Sequence, residues 1–251
     1  MSDELKGLTA IVTGAGSGIG LATAKKLADS GVRVFGFDLT AGMMEPVAEW
    51  IRCDVGSVES VSAAFALLEA ETGVVDILVN NAGVGAVGSI EEATDEEWMK
   101  VLNLNVVGIA RVSRAALPFL RRSAAGAIVN VCSIAATVGL PQRAIYSASK
   151  GAVQALTRAM AADLVHENVC VNCVNPGTAD TPWVARLLDR AADPSAERAA
   201  LEARQPTGRL VTAEEVAGAI CFLASPHQRS ITGTVLAVDG GMDGLRVSTV
   251  K

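Results

Sequence analysis

Thr9 to Gly20 reads TAIVTGAGSGIG, and this stretch decides the fold. Thr9–Thr13 is a short apolar run of the kind buried on both faces of a parallel sheet. Glycines follow at Gly14, Gly16, Gly18 and Gly20, and the pattern turns helical through Ser30 with Gly31 as the stop signal. A strand that turns sharply through glycines into a helix aims unpaired N–H groups and a positive dipole end at one point. That point suits a pyrophosphate. A glycine cluster alone also makes ordinary tight turns; the strand–turn–helix setting is what favours a nucleotide. Gly14, Ser17, Gly18, Ile19 and Gly20 are therefore candidate cofactor contacts.

The same alternation continues outward. Val32–Phe37 is a second strand closing on Asp38, and Leu39–Arg52 has room for at most one abbreviated helix before a third strand around Glu49–Cys53. Ser57–Thr72 is helical by periodicity and Asp76–Asn80 is a fourth strand. Thr94-Asp-Glu-Glu has the cap and acidic first turn of a helix that runs to Leu120. A fifth strand (Ala127–Cys132), a long helix (Tyr146–Glu167), a sixth strand (Val169–Val174), a helix (Thr212–Ala224) and a last strand (Val235–Val238) complete the chain. This rhythm predicts an α/β fold with a parallel sheet between two helical layers and ligands at the carboxyl ends of the strands. The chain of 251 residues reads as one domain, without linker or repeat. Residues 179–208, rich in Arg, Ala and Glu, break the rhythm at the ligand edge and are expected to form a lid over a substrate.

Composition excludes several classes. Half of the residues are hydrophobic and 19% are charged, which is not the composition of a disordered chain. A net charge of −6 argues against a nucleic-acid partner. No apolar run reaches the roughly 18–20 residues of a membrane span. Met1–Gly7 (MSDELKG) lacks the features of a secretory signal. Five cysteines in apolar stretches (Cys53, Cys132, Cys170, Cys173, Cys221) read as buried free thiols of a reducing cytoplasm. Cys170 and Cys173 lie three apart on a strand and so face opposite sides. His166 and His227 lack ligand spacing, so no metal site is expected.

Two further features carry chemistry. A carboxylate at Asp38, closing the second strand, can accept hydrogen bonds from both hydroxyls of an adenosine ribose and repels a 2′-phosphate. Leu39 and Thr40 follow it, with no cation to hold that phosphate, so NAD is favoured over NADP. Tyr146, the only tyrosine, precedes Lys150 by four residues at the head of a helix, so both project from one face. An ammonium within a few ångströms favours phenolate, and such a phenol serves as base toward an alcohol and acid toward a ketone. Ser133, at the end of the fifth strand, can hold the substrate oxygen.

TGAGSGIG (Thr13–Gly20), Asp54-Val55, NNAG (Asn80–Gly83), Asn105, Ser133, Tyr146-Ser-Ala-Ser-Lys150, Pro176-Gly177 and Asp239-Gly-Gly241 together resemble the short-chain dehydrogenase/reductase family, in order and spacing, over essentially the whole chain. The resemblance implies a single Rossmann-type, doubly wound, seven-stranded parallel sheet and a homotetramer. It implies that Asp54 and Val55 meet the adenine and that Asn81 and Gly83 lie by the cofactor. It further implies that Pro176, Gly177, Thr178 and Thr181 bind the cofactor, with Thr181 on the nicotinamide carboxamide. The implied catalytic tetrad is Asn105, Ser133, Tyr146 and Lys150. In it, Lys150 holds the nicotinamide ribose and Asn105 positions a relay water.

Arg143, three residues before Tyr146, and Arg204, at the end of the lid, suit a bidentate carboxylate. Arg186 and Arg190 lie one turn apart in the lid, either facing substrate or solvating the lid surface. Trp183 either stacks on substrate or packs. Asp180–Arg209 resembles the lids of type 2 3-hydroxybutyrate dehydrogenases and of 2-keto-3-deoxy-sugar-acid (L-fuconate and L-rhamnonate) dehydrogenases. The expectation is thus an NAD-dependent enzyme acting on a small anionic hydroxy or keto acid. An aldose dehydrogenase or 3-oxoacyl reductase, and a non-catalytic NAD-sensing protein, are the alternatives.

Overall fold

The computed structural model describes residues 4–189 and 191–247. Arg190 and the first three residues of the polar start lie outside the described residues. Seven strands form one parallel sheet: β1 (Thr9–Thr13), β2 (Arg33–Asp38), β3 (Glu49–Arg52), β4 (Ile77–Asn80), β5 (Gly126–Val131), β6 (Val169–Pro176) and, last in sequence, β9 (Val235–Val238). The order is β3-β2-β1-β4-β5-β6-β9, a doubly wound sheet whose direction of winding reverses between β1 and β4. β5 and β6 are buried along their whole length, as expected for central strands covered on both sides.

On one face, α1 (Gly18–Asp29) and α8 (Ala213–Ala224) pack Ala24, Leu27, Val216 and Ile220 against Val12, Val34 and Val79. On the other, α2 (Val58–Glu71), α4 (Gly108–Leu120) and α5 (Ala144–Leu164) pack Phe65, Leu68, Val112 and Phe119 against Ile11, Phe37 and Leu78. The rings of Phe37 and Phe65 meet edge to face at 5.4 Å. The helix starts follow their sequence signals. Ser57 caps α2 by accepting the Ser60 N–H, and Thr94 and Thr212 each form a reciprocal capping box, with Glu97 and Glu215.

Three elements differ from the sequence reading. The helix expected to run to Leu120, with a late kink at Pro118, is α3 (Asp95–Leu102), a π turn (Asn103–Val107) and then α4, inside which Pro118 lies. The Gly108 N–H reaches back five residues to Asn103 O, and the extra residue redirects Asn105 inward. The Asp38–Glu49 connection, with room for at most one abbreviated helix, is made of turns only, and within it Gly42 sits in the left-handed region (φ 57°) hard against Gly16. The long fifth helix starts two residues early, at Ala144, and tightens into a 3₁₀ turn over Val165–Glu167.

Beyond β6 lie β7 (Ala179–Asp180), α6 (Pro182–Leu188), α7 (Pro194–Ala203) and β8 (Val211–Thr212). β7 and β8 pair as a small parallel ribbon, and Val184, Leu201 and Leu210 form a separate apolar cluster. All five cysteines are buried and free; burial pushes Cys53 and Cys221 up to about 12, so both remain thiols. Among the described residues, no helix is long and apolar enough to cross a membrane.

Candidate active site

A cavity of about 460 Å³ opens at the carboxyl ends of β1, β4, β5 and β6, within the size range of a ligand cleft. Its first wall is the glycine loop. Gly14 (φ 65°) and Gly18 (φ 55°) adopt conformations that favour glycine, and a Cβ on Gly14 would stand 2.8 Å from Asn81 Nδ2. Gly20 does not line the cavity. It lets α1 close onto the loop, where a Cβ would run into Gly14 O. Asn81 Nδ2 donates to Thr13 O (2.9 Å) and Gly14 O (3.1 Å), tying the loop to the end of β4. Ser17 is the N-cap of α1 but makes no capping bond, and the first turn carries no acid. Ser17, Gly18 and Ile19 therefore present free donors and a positive helix end to the cavity, a cradle that fits a pyrophosphate.

Asp38 closes β2 at the next position along this wall. Its Oδ2 accepts the Gly16 N–H at 2.9 Å, so the carboxylate braces the glycine loop while still lining the cavity. Asp54 and Val55 line the cavity beyond it. Val55 and the Gly56 that follows it are fixed from behind by two residues the sequence reading did not single out. Arg111 donates to Val55 O (2.6 Å) and Asn103 Oδ1 (2.8 Å), and Asn103 Nδ2 donates to Gly56 O (3.0 Å).

The chemical end lies where α5 passes the end of β5. Lys150 is buried and donates to Val131 O at 2.9 Å, which leaves two of its three ammonium hydrogens for a ligand. Its Nζ stands 5.8 Å from the centre of the Tyr146 ring. Ser133 Oγ accepts the Ala135 N–H (3.2 Å), which aims the serine at the same space. Gly83 separates Lys150 from Asn105: a Cβ there would be 2.9 Å from Asn105 Oδ1 and 3.8 Å from Lys150 Nζ. Asn105 itself lies just behind the cavity, buried. Its Oδ1 accepts the Val84 N–H (2.8 Å), and its Nδ2 donates to Val84 O (2.9 Å) and Ser149 Oγ (3.1 Å). Pro176, Gly177 and Thr178 leave β6 along the opposite wall, and Thr181 stands there at the N-cap position of α6, its side chain making no capping bond. Gln205, another residue not singled out, supports this wall by donating to Thr178 O (3.3 Å).

Arg143, Trp183, Arg186 and Arg204 all line the cavity. Arg143 is half-buried, and burial together with the neighbouring Arg204 charge lowers its affinity for a proton; Tyr146 and Glu197 offset this only in part. Among the described residues none of these three arginines has an ion-pair partner, whereas the lid carboxylates Asp180 and Glu202 are both taken by Arg198, at 2.7 and 3.0 Å. The lid end of the cavity therefore gathers three guanidiniums without an ion pair, with Glu197 the nearby carboxylate that acts on Arg143. Val84, Gly85, Leu140 and Leu187 also line the cavity and went unremarked in the sequence.

A glycine-loop cradle, a carboxylate closing β2 and a Ser–Tyr–Lys cluster at the strand ends of a doubly wound sheet are the arrangement of a nicotinamide-dependent oxidoreductase. A family model described as "Enoyl-(Acyl carrier protein) reductase" matches residues 14–243, and the chain belongs to the short-chain dehydrogenase/reductase family. It is 40% identical to cis-4-hydroxycyclohexanecarboxylate dehydrogenase of Sinomonas cyclohexanicum, over 96% of this chain and 98% of that one. Among solved structures it is similar to the aldohexose dehydrogenase of Thermoplasma acidophilum (TM-score 0.92, 33% identity, 99% of each chain). It is likewise similar to a single-substitution variant of the actinorhodin polyketide ketoreductase with NADPH (TM-score 0.90, 32% identity, 98% of this chain and 100% of that one).

Proposed function

We propose that this protein is an NAD-dependent dehydrogenase that oxidises the secondary alcohol of a small anionic hydroxy acid, or reduces the matching keto acid. The observation that carries the substrate class is the pair Arg143 and Arg204. Two guanidiniums line one end of the cavity with no ion-pair partner among the described residues, and burial together with the Arg204 charge disfavours the cation at Arg143. A substrate carboxylate relieves that repulsion and accepts a forked hydrogen bond. The relative named for a hydroxycyclohexanecarboxylate supports a carboxylate at this end. The lid resemblance to dehydrogenases of 3-hydroxybutyrate and keto-deoxy sugar acids points the same way.

In this reading the whole chain is one dinucleotide-binding and catalytic domain, with residues 179–208 as its lid. Gly14, Ser17, Gly18 and Ile19 hold the pyrophosphate, with Gly20 setting their geometry. Asp38 holds the adenosine ribose, Asp54 and Val55 the adenine. Asn81 and Gly83 shape the floor, and Pro176, Gly177, Thr178 and Thr181 fix the carboxamide. NAD, when bound, supplies the hydride acceptor. Ser133 Oγ holds the substrate oxygen while Tyr146 Oη takes its proton, and Lys150 keeps the phenol poised for that transfer and grips the nicotinamide ribose. Both amide hydrogens of Asn105 are already used, so a relay water there donates to Oδ1 or meets the main chain. Trp183 and Arg204 close the substrate end from the lid.

The reading extends to a cytoplasmic homotetramer. Five reduced, buried cysteines support the compartment, and exposed Leu67, Met99 and Val107 on the outer helices support association. The test is NADH formation over paired hydroxy acids and uncharged analogues, with NAD and NADP. Arg143→Ala raises KM for the acid about 10–100-fold if it anchors the anion; an unchanged KM refutes the anchor. The likeness to an aldohexose dehydrogenase favours one second reading, an uncharged sugar as substrate. An aldose outperforming its acid selects that reading.

A further inference from the structure

We infer that Gly85 is a positioning residue for the substrate arginine, acting through Trp183 of the lid. The inference rests on the reading of Arg143 as the anion anchor.

Gly85 stands on a strapped piece of chain. Val84, just before it, is held through both its N–H and its C=O by the buried Asn105 amide. Three residues later, Gly88 runs beside the Arg143 segment: its N–H donates to Gln142 O (3.1 Å), and its carbonyl accepts from the Ala144 N–H (3.3 Å). The stretch is thus pinned at one end to the π turn and at the other to the residues flanking Arg143.

The indole of Trp183, the second residue of α6, rests on Gly85. A Cβ at Gly85 would stand 2.7 Å from Trp183 Cε2 and 2.9 Å from Nε1, and closer still to Cζ2. Real Cβ atoms do not tolerate such separations, and the opposing group is a rigid ring, so any side chain at residue 85 has to lift Trp183. The same ring carries the Arg143 guanidinium, whose central carbon lies 6.0 Å from the ring centroid, at the limit of a cation–π contact. Arg143 Nη1 also leans on Ala86 O at 3.4 Å. Three segments far apart in sequence therefore meet in one stack: wall, lid aromatic and guanidinium. Arg143 Nη1 also donates to Gln142 O at 3.2 Å, so the guanidinium is set by two carbonyls on one side and the Trp183 ring on the other. A lifted Trp183 removes one flank and shifts the start of the lid. Gly85 in this way determines how strongly an anionic substrate is gripped while leaving Ser133, Tyr146 and Lys150 untouched.

The experiment is a set of variants, Gly85→Ala, Trp183→Phe, Trp183→Ala, the double variant Gly85→Ala/Trp183→Ala, and Arg143→Ala, each assayed for KM and kcat on the best hydroxy acid from the panel. Gly85→Ala is expected to raise KM about tenfold with kcat kept within about twofold, since a misplaced anchor weakens binding and not the proton transfer. Trp183→Ala should match it, Trp183→Phe should recover most of the affinity, and the double variant should be no worse than Trp183→Ala alone, because the two substitutions break one contact. A wild-type KM for Gly85→Ala, or additive losses in the double variant, overturns the inference. An unchanged KM for Arg143→Ala overturns instead the anchor reading on which it rests. Should Gly85→Ala fail to fold, the two Trp183 variants decide: equal losses with Phe and Ala contradict the stack, and recovery with Phe alone supports it.

Discussion

Replacing Asp38 with Asn tests the cofactor assignment at a single atom. The Asp38 carboxylate closes β2, lines the cavity and accepts the Gly16 N–H at 2.9 Å. Asparagine keeps an oxygen for that bond, so the glycine loop survives and only the charge is lost. Toward NAD, a charge-assisted hydrogen bond to the ribose becomes a neutral one, at a cost of about 1 kcal/mol, roughly five- to tenfold in KM. Toward NADP, the repulsion between the carboxylate and a 2′-phosphate disappears. At about 4 Å that repulsion is worth about 1 kcal/mol per charge pair in water and about 4 near a protein surface, so about 2–4 kcal/mol for this half-buried group. The two effects add to about 3–5 kcal/mol, a fall of about 10²–10⁴-fold in the ratio of kcat/KM for NAD over NADP. The assay is initial-rate kinetics with each cofactor at a fixed alcohol concentration, with Tm measured to confirm an intact fold. Wild-type preference for NADP, or a ratio that moves by less than about threefold in the variant, refutes the reasoning.

Other expectations follow from the same structure. Tyr146→Phe lowers kcat by about 10²–10⁴-fold with cofactor binding retained, because the chain has no second tyrosine to take the proton; turnover equal to the parent would reopen the non-catalytic alternative. Gly20→Ala drives a methyl into Gly14 O and Asn81 Nδ2; the overpacking costs about 1–3 kcal/mol, seen as a Tm lowered by roughly 3–10 °C together with weaker NADH binding. Glu215, held down to about 2 by Arg209 and the Thr212 cap, contributes stability that is present above the ordinary 4.5 and lost as pH falls toward 2. Glu215→Gln keeps the cap but not the ion pair, so it should cost about 0.5 kcal/mol at pH 7, a figure discounted for solvent exposure. Denaturant melts of both proteins should converge near pH 2, and a gap that persists there contradicts the linkage.

What was legible in the sequence is what local pattern encodes. The β1–glycine–α1 stretch carries its own turn chemistry, and Tyr146 and Lys150 are neighbours by helical spacing alone. The caps at Ser57, Thr94 and Thr212 are likewise written in adjacent residues. What was not legible is held by contacts between distant segments. The π turn at Asn103–Val107 leaves the apolar periodicity of its neighbours nearly unchanged, so it reads as continuous helix. The contacts made around it come from elsewhere in the chain: Gly108 packs against Val55, and Arg111 joins Val55 to Asn103. Trp183 could stack or pack as far as sequence tells. Only the folded chain brings it onto Gly85 and beside Arg143. The one local hint was the run Gly83-Val-Gly-Ala-Val-Gly88, whose glycines suggest close approach without saying by what.

The central claim is that the cationic end of the cavity selects an acid. Its most direct test is kcat/KM of the wild-type enzyme, with NAD, for a short hydroxy acid against its own methyl ester. The account predicts that the acid is favoured by about 10²-fold or more, because the ester leaves Arg143 and Arg204 facing each other without an anion. An ester or an uncharged sugar used as well as the acid, or better, contradicts it.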